Sequence, residues 1–145
     1  MSAAGVESGR FRYLLFEFLT GRGRPIIHEW VKDERLTTRD RAALNLRFKR
    51  IRQVDFGLAQ GTLINGPIYK HVYKCVIHGD VMLRPMLCRG PFKPDEEYTL
   101  LLGAIERGGK LPKGAKEQAE ENRNTVERFP TTRRLHESIP TRSKK

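Results

Sequence analysis

The run Tyr98-Thr99-Leu100-Leu101-Leu102 is apolar at successive positions, and a chain that folds around it must cover both of its sides. A short stretch of this kind, stopped by Gly103, reads as a strand in the interior of a sheet. The chain beyond it is of another character. A Gly108-Gly109 break leads into Lys110-Leu-Pro-Lys, and residues 113–129 then space Ala115, Ala119, Val126 and Phe129 for one buried helical stripe.

Upstream, Phe11–Leu19 is short, aromatic and bounded by Thr-Gly-Arg-Gly-Arg-Pro, which predicts a first strand. Pro25 suits the first turn of a helix over residues 26–34. Thr37 or Thr38 caps a longer helix over residues 39–55, where Ala43, Leu44, Phe48 and Ile51 share a face. Gly57–Pro67 carries turn signals. Residues 68–77 and 81–89 alternate around His78-Gly79-Asp80 and predict a hairpin. The order is β-α-α-β-β-β-α, an α+β domain over residues 11–130. Four strands in a mainly antiparallel sheet, with helices largely on one face, satisfy this pattern. Residues 1–10 read as disordered. Residues 131–145, with five basic residues against one acidic, read as a flexible cationic tail.

Charge narrows the function. Lys and Arg outnumber Asp and Glu by 28 − 17 = 11, which calls for an anionic partner, nucleic acid first. No run is long and apolar enough to span a bilayer, and MSAAGVESGR lacks the form of a signal peptide. The two cysteines, Cys75 and Cys88, are too few for a disulfide framework, so a reduced, cytoplasmic protein is expected. No phosphate-binding Gly loop, paired-carboxylate motif or nucleophile elbow is present, which argues against a conventional metabolic enzyme. His71, Cys75, His78 and Cys88 are legal zinc ligands, but their spacing fits no usual zinc motif, and neither metal nor cofactor is expected.

The segment YTLLLGAIERGGKLPKGAKEQAEENR, Tyr98–Arg123, and the hairpin VYKCVIHGDVMLRPML resemble the RelE/ParE toxin superfamily, best its HigB-like, phage-derived branch. The resemblance implies a RelE-like fold. It also implies cleavage of mRNA in the ribosomal decoding site, without metal, through attack of the ribose 2′-hydroxyl on the adjacent phosphate. A small antitoxin covering the basic site is the implied protein partner. ParE-type members share the fold and inhibit gyrase instead, so the fold alone does not fix the chemistry.

Such a reaction needs a proton acceptor, a proton donor and cations around the phosphate. If Gly79-Asp80 is a two-residue turn, His78 pairs with Val81, Cys75 with Arg84, Tyr73 with Met86 and His71 with Cys88. One face then carries Tyr69, His71, Tyr73, Cys75, Met82, Arg84, Met86 and Cys88. The other carries Lys70, Val72, Lys74, Val76, Leu83, Leu87 and Arg89, the better aliphatic core. On the first face Arg84, placed shortly after the turn as an Arg is in the family, is the candidate phosphate ligand. His71 is the candidate proton carrier and Tyr73 a stacking or proton-donating aromatic. Arg107 and Lys110 match the charge that the family carries after its last strand. Arg89, Lys74, Arg47 and Arg50 complete the candidate RNA contacts, the last two from a helix with six basic residues in fourteen. Two other readings stay open: a non-catalytic inhibitor or adaptor that binds a host protein, and an RNA-binding module without cleavage.

Overall fold

The computed structural model describes residues 11–141. The N-terminal segment 1–10, expected as disordered, and residues 142–145 lie outside the described residues. In chain order the elements are β1 (Leu14–Phe18), α1 (Ile26–Asp33), α2 (Thr38–Gln53), the single turn α3 (Phe56–Ala59), β2 (Asn65–Tyr69) and β3 (Val72–Lys74). After these come β4 (Ile77–His78), β5 (Met82–Leu83), β6 (Met86–Arg89), β7 (Glu97–Leu102), β8 (Ile105–Glu106), α4 (Ala115–Arg128) and β9 (Arg133–Leu135). The class is α+β. No helix of the described residues is long and apolar enough to cross a membrane.

The double-sided strand sits where its composition demands. β7 lies inside a six-stranded sheet of order β2-β3-β6-β7-β1-β9, parallel to β1 and antiparallel to β6. Leu100 joins Leu15, Ile27, Leu44, Phe48 and Leu87 under α1 and α2, while Leu101 joins Val72, Met86, Cys88, Ala115 and Ala119 under α4. The sheet therefore has helices on both faces, and its six strands exceed the expected four. The second cover follows from β7, since a strand that buries alternate residues on opposite sides needs one on each, and the two added strands are the edge strands β2 and β9, which form in segments expected as a loop and a tail. Each fully buried leucine contributes about 2 kcal/mol. The two cysteines are small buried residues of this interior.

Helix α2 is capped as its sequence implies. Thr37 accepts the N–H of Asp40 at 3.1 Å, and the Asp40 carboxylate accepts back from the Thr37 N–H at 3.4 Å. The other Asp40 oxygen accepts the N–H of Asp80 at 2.6 Å, and the Thr37 hydroxyl donates to Asp80 at 2.6 Å. The helix N-terminus thus grips the hairpin turn and changes its register. His78 pairs with Met82, Ile77 with Leu83, Lys74 with Met86 and Tyr73 with Leu87, one residue away from the expected pairing. The turn has three residues, Gly79-Asp80-Val81, because Asp80 is held outside the hairpin by α2. A slip of one redistributes the faces. Tyr73 and Cys75 now point to the α1/α2 core with Leu83 and Leu87, while Met86 and Cys88 join Val72 under α4. At Pro85, which has no N–H to give, the hairpin leaves the large sheet, and β4-β5-β8 form a small one.

The cationic segment after Pro130 is not a free tail over its described length. Residues 133–135 add β9 to the edge of β1. Arg133 reaches across to Glu97 at 3.1 Å with its guanidinium 3.6 Å over the Phe16 ring, and Ile139 is only 2% exposed. Its charge is neutralised by an internal acid, a partner 36 positions away that composition does not reveal.

Gly103 closes β7 against the ring of Trp30, and a Cβ there would overlap the indole. Gly103→Ala is expected to lower unfolding free energy by about 3 kcal/mol, the upper range for overpacking a core. Gly21→Ala, whose Cβ meets nothing within 4 Å, should be near neutral. Paired urea melts measure the difference.

Candidate functional site

The β2–β3 connection is a two-residue turn between paired Tyr69 and Val72. Its first residue, Lys70, takes φ +48°, a left-handed conformation that costs a side-chain-bearing residue about 1 kcal/mol or more. That turn presents His71. Its backbone N–H donates to Glu120 Oε1 at 3.3 Å, and its Nδ1 lies 3.0 Å from Glu120 Oε2. Glu120, on α4, is 6% exposed, whereas the His71 side chain is 58% exposed. A buried carboxylate that receives Nδ1–H leaves the other ring nitrogen as a lone pair toward solvent. This is an oriented imidazole, built by the same logic as a carboxylate–histidine pair in acyl transfer.

Beside it Tyr73 stands edge-on to Phe56 at 5.5 Å, and the Arg89 guanidinium stacks 4.0 Å over the same Phe56 ring while pairing with Asp95 at 2.9 Å. Arg123, one turn beyond Glu120, pairs with Glu127 at 3.4 Å. Lys70, His71, Tyr73, Arg89 and Arg123, with Pro91 and Pro94, line one recess of about 210 Å³. The Nε atoms of Arg89 and Arg123 are both buried and have no acceptor among the described residues. Three cationic side chains, Lys70, Arg89 and Arg123, around one recess suit an anion with several oxygens.

The sequence candidates divide. His71, Tyr73 and Arg89 come together. Arg84 does not join them. It is 5% exposed, its Nε donates to Glu106 at 2.8 Å and its Nη1 to the Leu83 carbonyl at 2.9 Å, so it is a strut between β5 and β8. Arg47 is likewise structural, donating to the carbonyls of Leu63 and Val76 at 3.1 Å each. Lys74 and Lys110 line a different cleft with Lys113 and Lys116 at the start of α4. Arg107 is exposed and lies 3.5 Å from Glu34, and Arg50 stands exposed on α2. Arg123, Glu120 and Lys70 are site residues that the sequence pattern does not nominate. The one signal it carries is a glutamate and an arginine three apart, beside the Ala115/Ala119 stripe, where a polar residue is partly drawn into the interior.

The zinc alternative fails among the described residues: His71, Cys75, His78 and Cys88 form no ligand cluster. Burial pushes the thiols of Cys75 and Cys88 up to about 12, so neither offers a thiolate near neutrality. Comparison with protein-family models, with curated proteins and with solved structures gives no match.

Proposed function

We propose that this chain is a RelE/HigB-like toxin, a cytoplasmic, metal-free endoribonuclease that cuts mRNA on the ribosome, with an acidic antitoxin as its protein partner. The observation that carries the reading is the gathering of Lys70, Arg89 and Arg123 around the recess that also presents the Glu120-held His71.

His71 accepts the ribose 2′-hydroxyl proton at its outward nitrogen. The 2′-oxygen attacks the adjacent phosphorus, and the bond from phosphorus to the 5′-oxygen breaks. Arg89 and Arg123 bind the phosphate oxygens as charge gathers on them. Tyr73 or Lys70 supplies the proton that the leaving 5′-oxygen takes. The products are a 2′,3′-cyclic phosphate and a 5′-hydroxyl. Tyr73, in the wall of the recess, offers the aromatic surface for an unstacked base.

Induced expression in bacteria tests this, wild type beside the double variant Arg89→Ala/Arg123→Ala. Growth arrest with new mRNA ends carrying a 5′-hydroxyl is expected for the wild type and is lost in the variant. Removal of one such donor costs about 10²–10³ in rate. Arrest without new ends would replace the nuclease by an inhibitor of a host protein. Neither arrest nor cuts from folded protein would remove the toxin reading.

A further inference from the structure

Away from that recess, a buried carboxylate is held between two histidines. Glu17 on β1 is fully buried. Its Oε2 accepts the backbone N–H of Ile27 at 2.6 Å and of His28 at 3.0 Å, which caps α1 in place of Pro25. Its Oε1 lies 3.0 Å from Nδ1 of His28 and 2.8 Å from Nδ1 of His136. The three donor atoms come from β1, from α1 and from the segment after β9, and all lie within 4.8 Å of one another. His136 also lines a cleft of about 440 Å³ beside α2, with Phe11, Phe48 and Arg52 among its walls.

Each ring nitrogen this close to the carboxylate oxygen either donates a hydrogen to it or shares a cation with it. Burial pushes the Glu17 carboxyl up, but the hydrogen bonds of His136 and His28 and their charges outweigh it and bring it down to about 2. The far nitrogen of His136 has no partner among the described residues, so within them the ring's tautomer is set by what lies between it and Glu17.

We propose that Glu17, His28 and His136 bind one divalent transition-metal ion of the zinc class, which fastens the C-terminal segment to β1 and α1. Two imidazoles and one carboxylate suit zinc and its neighbours, whereas magnesium and calcium prefer oxygen alone. Tetrahedral zinc with bonds of about 2.0–2.1 Å sets its ligand atoms about 3.3 Å apart. The two carboxylate-to-imidazole distances need only lengthen by a few tenths of an ångström, and the two ring nitrogens lie within 4.8 Å of each other. The backbone amides on Oε2 hold the carboxylate from behind, as outer partners do in metal sites. Three protein ligands leave the fourth place to solvent. The ion fastens a segment already tied to α2, where Asn45 and Ile139 exchange two hydrogen bonds of 2.9 Å and Arg41 donates to the Pro140 carbonyl at 3.1 Å.

The test uses full-length protein stripped with chelator and titrated with Co²⁺, which absorbs visibly in a tetrahedral site, and with Zn²⁺ in thermal melts. One Co²⁺ per chain is expected, displaced by Zn²⁺, with Tm raised by about 8 °C when zinc is a hundredfold over its Kd. His136→Gln should lose both responses. His28→Cys keeps a ligand and should add a thiolate-to-cobalt charge-transfer band, which decides the matter even if His136→Gln does not fold. No saturable cobalt absorption in the wild type would overturn the site and leave protons as its only occupants. Cobalt binding that His136→Gln leaves intact, or that gives no thiolate band in His28→Cys, would place the ion elsewhere and overturn it equally. None of these readouts depends on RNA cleavage.

Discussion

Arg84→Ala is expected to lose about 3 kcal/mol of stability, and any loss of toxicity it shows will follow from unfolding. The side chain is buried, and its guanidinium ties Glu106 on β8 to the carbonyls of Leu83 and Ile77 on β5 and β4. Truncation removes a charge-assisted network and opens a cavity in its place. Breaking a buried pair by deleting one partner costs about 3–5 kcal/mol, and the lower end applies because Glu106 is 23% exposed and can rehydrate. Against a total stability of about 5–15 kcal/mol this is a large fraction, and Tm should fall by about 10 °C. The double variant Arg84→Met/Glu106→Leu, which removes both charges and keeps apolar volume, should recover more than half of the loss. Urea melts of the three proteins give the answer. An Arg84→Ala protein as stable as wild type but unable to cut RNA would return Arg84 to the phosphate.

How far such roles can be read in advance depends on the distance of the deciding partner. Leu100 and Leu101 announce a strand covered on both sides because burial is written into adjacent residues. The Thr37–Asp40 box is legible for the same reason, its partners being three positions apart. The hairpin register is not, since Asp80 is held by Asp40 from forty positions away, and local alternation fits two registers equally well. Arg84 looks like a surface cation until Glu106, 22 positions on, is brought against it. The C-terminal segment reads as a basic tail because His136 meets Glu17 across 119 positions. In the candidate recess, His71, Tyr73 and Arg89 are legible as residue types on a hairpin. Glu120 and Arg123 acquire their roles only when α4 packs on the second face of the sheet, a cover that the pattern of β7 demands without naming the helix that supplies it.

The largest effect on chemistry is expected at His71. His71→Gln should lower the cleavage rate at saturating RNA by about 10²–10⁴-fold, the usual contribution of a positioned general base, while RNA affinity and stability stay near wild type. Its side chain is exposed and contributes little packing, so folding is not at risk. Glu120→Gln tests the carboxylate separately. The amide keeps the shape and can still bond the ring, but it no longer stabilises the charge that the imidazole acquires when it takes the proton. A smaller loss, about 10–100-fold in rate with affinity unchanged, is expected. Arg89→Ala should show the opposite balance, weakening RNA binding and flattening its salt dependence, as a phosphate contact does. Single-turnover cleavage of a defined mRNA on purified ribosomes, read beside binding at two salt concentrations, separates the three. A His71→Gln protein that cuts at the wild-type rate would move the base elsewhere in the recess. One that loses affinity in step with rate would make His71 a contact to RNA, and the Glu120 carboxylate its support in binding alone.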